Sequence, residues 1–233
     1  MTAPPDAQGR SVGGVIPPRA WFDRDPLDLA RDLLGATLTR RSDDGDVTLR
    51  ITEVEAYRGE SDPASHAFRG LSERNRAMFG AGGHLYVYRH LGLHHCANVV
   101  AGPEGAAGGV LVRAGEVVAG VSVARARRAA AGVTRADTDL ARGPARLTVA
   151  LAIDFGLYGA DLLDPDGDLV LRNREAAPAA VAEGPRVGVN GPGADPEAFP
   201  WRLWLAGDPT VSTFRPGGKP RTRKAAPPGD GPH

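Results

Sequence analysis

A carboxylate and a phenol stand two residues apart at Glu55 and Tyr57, inside the run ITEVEAY (51–57). Further along come His66, the pair Tyr86 and Tyr88, an apolar Leu91 beside glycine, then Asn98 and Arg113. Tyr57 and Tyr88 could wall a slot for a flat ligand, with Glu55 and Arg113 at one end. Ordinary structural roles compete with each assignment. Glu55 alone fits a strand-end ion pair, and the tyrosines alone fit a core. Tyr86 is expected to point away from Tyr88 and to pack in the core.

These residues need elements to position them. Asp25-Pro26 supplies an N-cap and a first helical position, Leu27, Leu29, Ala30, Leu33 and Leu34 an apolar face, and Gly35 a stop, so a short helix is expected there. Ala36–Arg40 and Val47–Tyr57 are expected strands around the turn Ser42–Gly45. In the second strand a period of two puts Val47, Leu49, Ile51, Glu53, Glu55 and Tyr57 on one face, apolar at first and acidic at its end. Residues 58–83 read as a long, partly helical loop. Leu85–Arg89 and His95–Val100 are expected to pair as a hairpin with Leu91 and Gly92 at its tip. Val110–Ala114 is a further strand, with Arg113 on the face opposite Val110 and Val112. Glu116–Ala131 is expected to be helical, as is the stretch from Gly143-Pro144 to Leu151. Asp168–Arg172 and Trp201–Ala206 complete the strands, and 176–200 reads mostly as loop.

A chain of 233 residues without internal repeats fits a single domain with a substantial core. No apolar run approaches the roughly 20 residues of a membrane-spanning helix. The single cysteine, Cys96, excludes an internal disulfide and multi-cysteine metal sites, and points to a cytoplasmic setting. Formal net charge is zero, but five basic residues against one acidic lie in Phe214–His233, so the rest of the chain is net acidic. A polyanion-binding surface must then gather its arginines on one face. The only lysines are Lys219 and Lys224. Arginine stays protonated near neutral pH, whereas Schiff-base chemistry requires a neutral amine, so lysine-based covalent catalysis in the core is excluded.

In order, ITEVEAY (51–57), SHAF (65–68), RNRAMF (74–79), HLYVYR (84–89), CANVV (96–100), VLVRA (110–114) and GPARLTVALAI (143–153), with RVGV (186–189) and WRLW (201–204), resemble the 3-methyladenine (alkyladenine) DNA glycosylase family. The resemblance runs from about residue 20 to about residue 212. It implies an α+β fold, a single domain with a curved, mostly antiparallel sheet flanked by helices and a protruding β-hairpin. That catalytic domain is expected over 20–213, between a disordered arm (1–19) and a disordered basic tail (214–233).

The function implied is that of a monofunctional glycosylase in base excision repair, working as a monomer on double-stranded DNA. It would flip an alkylated purine out of the duplex, hydrolyse the N-glycosidic bond and leave an abasic site, with no cofactor, metal, membrane or obligate protein partner. By the same resemblance Glu55 is the general base, and Arg113 holds the carboxylate and the attacking water. Tyr57 and Tyr88 stack on the extruded base, and His66 contacts its edge or the flanking backbone. Asn98 crowds the exocyclic amine of guanine, rejecting that normal base. Leu91 takes the place of the family's usual aromatic wedge, and leucine is among the apolar residues that proteins insert between base steps.

Two other readings are weighed against this one. The same scaffold could bind DNA without catalysis, or His66, His90, His94 and His95 could hold a metal in a small-molecule hydrolase. Spacing around Gly92 places the last three histidines at a turn, where their rings diverge, and resistance of the activity to a chelator separates the readings. Some of Arg69, Arg74, Arg76, Arg89 and Arg125 to Arg128 are expected to contact phosphates.

Overall fold

The computed structural model describes residues 14–218. The outer parts of the expected arm and tail, 1–13 and 219–233, lie outside the described residues. Within the expected arm, Gly14 donates its N–H to Asn173 O (3.0 Å) and Asn173 donates to Val15 O (3.0 Å). Arg19 pairs with Asp161 at 2.6 Å.

Helix α1 spans Pro26–Leu33, with the Asp25 side chain accepting from the Leu27 N–H, as an N-cap does. Strand β1 (Thr37–Arg40) pairs antiparallel with β2 (Val47–Tyr57). After the 58–83 loop, with its 3₁₀ turns, come the hairpin strands β3 (Leu85–His90) and β4 (His94–Val100), then β5 (Gly109–Ala119). Helices α2 (Val121–Ala131) and α3 (Pro144–Ala150) follow, then β6 (Leu169–Arg172), β7 (Val181–Gly184) and β8 (Arg202–Leu205).

The sheet is antiparallel throughout, in the order β3-β4-β5-β2-β1-β6, with β8 beside β2 and β7 beside β8. The fold is a single open-sheeted α+β domain, in agreement with the expected class. Strand β2 is its pivot: β5 lies along one edge, while the other edge pairs with β1 over Val47–Arg50 and with β8 over Glu53–Glu55. One apolar cluster joins Leu29 and Leu33 of α1 and Leu147 and Ala150 of α3 to one face of the sheet. A smaller cluster, Ala67, Met78, Tyr86 and Val100, forms between the other face and the 58–83 loop.

Two expectations of element type change. Residues 116–119 belong to β5 rather than to a helix, because Glu116 lies opposite Arg50 in the ladder and accepts from its guanidinium at 2.9 and 2.7 Å. Gly120 then turns the chain at φ +73°, where a Cβ would lie 2.0 Å from Asp46 O, and α2 starts one residue later. Within 176–200, Val181–Gly184 forms an edge strand whose side chains alternate between exposed and half-buried. It has no apolar face to announce it.

The face assignment in β2 also changes. Val47, Leu49 and Ile51 face the core, but so do Val54 and Ala56, so the two-residue period slips by one between them. The register gives the cause. Thr52 is an extra residue on β2 between the Ile51–Gly115 and Glu53–Ala114 partners, and Arg113 is an extra residue on β5 just beyond. Such bulges exchange the faces of everything downstream. Glu53, Glu55 and Tyr57 therefore lie on the face away from the main core.

Candidate active site

With the slip made, four adjacent strands share one rule. Leu85 and Val87, Ala97 and Val99, Val110 and Val112, Val54 and Ala56 enter the main core. Their alternates, Tyr86 and Tyr88, Cys96 and Asn98, Leu111 and Arg113, Glu55 and Tyr57, line a cavity of about 400 Å³. His66 and Met78 from the 58–83 loop, Pro144 and Ala145 at the start of α3, and Val187–Asn190 complete its wall. The volume falls within the range typical of small-molecule pockets.

Glu55 is 0 % exposed and fully engaged on one oxygen. Its Oε1 accepts from Arg113 Nη1 at 3.2 Å and from the Val187 N–H at 2.7 Å, and its Oε2 accepts from the Tyr57 hydroxyl at 2.8 Å. A carboxylate has about four acceptor positions, so one stays free. Burial works against the charge on Arg113, but the carboxylates of Glu55 and Glu53 outweigh it and its pKa is raised.

Burial first, then the Glu55 carboxylate, hold the Tyr57 phenol well above its usual 10.0. Burial, with Cys96 as the next influence, raises Tyr88, and burial pushes Tyr86 up to about 12. All three rings are neutral at neutral pH. The guanidinium of Arg186 lies 4.6 Å from the Tyr57 ring centre and fixes that ring from behind.

Tyr86 corrects the expectation that it opposes Tyr88. Residues two apart in a strand share a face, and the two rings stack at 5.8 Å with 28° between their planes. Tyr86 is nonetheless buried, at 1 % exposed, and its hydroxyl meets His66 Nδ1 at 2.9 Å. His66 sits edge-on to Tyr88 at 4.4 Å. Burial of its ring, then Arg74 and His90, lower its pKa to about 4, so it is uncharged at neutral pH. Asn98 is buried and donates from Nδ2 to Tyr86 O at 3.0 Å.

Leu91 lies apart from the cavity wall, at the hairpin tip, 81 % exposed and at φ +50°. With Gly92 at φ +71° it makes a tight turn of the left-handed kind that hairpins favour. His90 and His94 pair across the base of this hairpin and line the cavity, but the His95 ring packs on Phe155 at 5.0 Å. The four histidines weighed as metal ligands do not converge, and among the described residues no cluster of three or more His, Cys, Asp or Glu is arranged to hold a metal ion.

A second, more open cavity of about 800 Å³ adjoins the first and shares Arg113, Pro144, Ala145 and Val187 with it. Arg135, Arg142, Arg146 and Arg215 line it, with Asp139 as its one acid. By contrast Arg125 is paired with Asp137 (2.6 Å), Arg127 is bound to Asp44, and Arg128 is 6 % exposed. Arg142 and Arg146 share Asp139 at 3.9 and 3.3 Å, so four cations meet one carboxylate and the lining beside the cavity keeps a net positive charge.

Three features had no reading in the sequence. The Val187 N–H reaches Glu55 across 132 residues, within a segment read as loop. Arg186 and Asp62, both fully buried, form a two-nitrogen ion pair at 2.5 and 2.8 Å. Glu53 binds Arg113, Arg202 and Ser212. The block RVGV holds two of these residues, but nothing local marks what they touch.

The chain matches the family described as methylpurine-DNA glycosylase over residues 20–209. A Streptomyces avermitilis protein named for 3-methyladenine DNA glycosylase activity is 50% identical over 199 residues, 84% of this chain and 91% of the relative. A Leifsonia xyli protein of the same name is 51% identical over 201 residues, covering 85% and 92% of the two chains. One from Methanocella arvoryzae is 42% identical over 200 residues, 86% and 97%.

Proposed function

The chain belongs to the methylpurine-DNA glycosylase family, and from that premise we propose that it extrudes an alkylated purine, such as 3-methyladenine, from duplex DNA and hydrolyses its N-glycosidic bond. The observation that carries this reading is Glu55, buried beside a cavity walled by Tyr57 and Tyr88, with one acceptor position left over. Water bound there gives a proton to Glu55 as its oxygen attacks the anomeric carbon, and the bond electrons leave with the purine. An alkylated purine that is cationic departs neutral, so no strong acid is required of the protein. The carboxylate also offsets positive charge building on the sugar, and a positioned base contributes roughly 10²–10⁴-fold.

The neutral phenols of Tyr57 and Tyr88 suit the faces of an extruded base, with base–aromatic stacking worth roughly 1–3 kcal/mol. Asn98 and His66 contact the base from the wall, Asn98 as the group that crowds guanine. Leu91 enters the gap in the stack, and the arginine-lined cavity takes the adjoining phosphodiester backbone. No lysine stands before Lys219, which supports a product with an intact strand and an abasic site rather than a covalent imine.

The test is release of alkylated purine from DNA by the wild type and by Glu55→Gln. A loss of about 10²-fold or more with retained binding to lesion DNA is expected. Unchanged release removes Glu55 from the reaction.

A further inference from the structure

Glu53 has no part in the reaction above, yet it is 0 % exposed and accepts four hydrogen bonds. Its Oε1 accepts from Arg113 Nε at 3.1 Å, Arg202 Nε at 2.5 Å and Ser212 Oγ at 2.9 Å. Its Oε2 accepts from the Ser212 N–H at 2.7 Å. A buried carboxylate needs compensation of this kind. What sets Glu53 apart is that one of its donors, Arg113, also binds Glu55.

A guanidinium is a rigid planar fork, so fixing one edge fixes where the other nitrogens point. Arg113 rests its Nε on Glu53 and extends Nη1 alone to Glu55, with Nη2 3.5 Å from Ser212 Oγ. Resting on this reading of Glu55 as the base, we propose that Glu53 is a positioning residue that prevents Arg113 from closing on Glu55 as a bidentate pair. Such a pair would occupy the acceptor position the water uses. Arg186 and Asp62 show that this chain does form the closed arrangement where nothing divides the arginine.

Ser212 is the catch that holds Glu53. It belongs to the segment after β8, which turns back along β2: Asp208 pairs with Arg50 at 2.8 Å, Thr210 bonds Thr52 at 2.8 Å, and Ser212 reaches Glu53. The Arg215 carbonyl then accepts from the Gly188 N–H at 3.0 Å, one residue from the Val187 that binds Glu55. The segment thus braces the site through Glu53 and through the 187–190 loop.

The experiment uses the full chain with Glu53→Gln, Ser212→Ala, Arg113→Gln and the Glu53/Arg113 double variant. Two quantities are read: the single-turnover rate of alkylpurine release, and the dissociation constant for duplex carrying a non-hydrolysable abasic-site analogue. Glu53→Gln is expected to slow release about ten- to a hundredfold, with the dissociation constant within about twofold of wild type. In the Arg113→Gln background the same change adds little, because the two residues act as one unit. Ser212→Ala gives a smaller slowing with the same split between rate and binding.

A Glu53→Gln protein that folds and turns over at the wild-type rate overturns the proposal. So do rate losses that multiply in the double variant, since these mark a general structural role. If Glu53→Gln does not fold, Ser212→Ala decides, and a wild-type rate there counts against the catch. Each set includes Glu55→Gln: activity in that variant defeats the assignment of the base itself, whereas its inactivity beside normal Glu53 and Ser212 variants defeats only this inference.

Discussion

Arg186 gives both terminal nitrogens to Asp62, and the pair is shut between Tyr57, Phe199 and Trp201; Arg113 gives one nitrogen to Glu55 and spends its Nε on Glu53. Both are buried arginine–carboxylate contacts in one wall of one domain. The closed pair satisfies its carboxylate with partners that leave no room for a reactant, and its effect is to fix the ring of Tyr57. The divided arginine leaves Glu55 with an unused acceptor position facing the cavity. Burial alone does not separate a structural ion pair from a reactive one. The count of acceptor positions left over does.

The sharpest way to break this comparison is to neutralise each carboxylate in turn. Asp62→Asn strands the Arg186 charge, and breaking a buried pair costs about 3–5 kcal/mol, read as a fall in unfolding free energy. Glu55→Gln is expected to reverse the pattern, with the unfolding midpoint close to wild type and release lost. If Asp62→Asn left stability unchanged, the closed pair would not be the structural element described here.

A smaller effect tests the far end of the site. Leu91→Tyr enlarges the wedge, so excision of a stably paired neutral lesion such as hypoxanthine should rise a few-fold, about 1 kcal/mol, relative to 3-methyladenine. Equal ratios in the two proteins would show that the tip does not limit flipping.

A further test concerns pH. His66 titrates near 4 in the folded protein against an ordinary 6.5. Between those values the unfolded chain binds more protons, so folded stability is lost as pH falls from about 6.5 toward 4. Replacing His66 by Gln should flatten that slope in urea titrations at pH 7 and pH 5, and an unchanged slope would place the acid sensitivity elsewhere.

What could be read beforehand was local. Asp25-Pro26 and Gly35 bound α1 because caps act within a turn, and the β1–β2 and β3–β4 hairpins follow from alternation around short turns. The site residues assigned through family resemblance, Glu55, Tyr57, His66, Tyr88, Asn98 and Arg113, do meet at one cavity. Their roles remain those proposed above. What could not be read is set by partners far away in the chain. The slip at Thr52 exists only against β5, β7 is held by β8, and Asp62 finds Arg186 across 124 residues. Glu53 and Glu55 look alike in sequence because each is followed by an apolar residue, Val54 or Ala56, and only their donors tell them apart.

The paired extra residues, Thr52 on one strand and Arg113 on the next, act as a frame shift in three dimensions. Were Thr52 to take its turn in strict alternation, Glu53, Glu55 and Tyr57 would face the oil and Val54 and Ala56 the hollow; because the ladder skips it, the acids stay on the hollow's side. A residue that the ladder leaves uncounted thus decides on which side of the sheet the acids stand.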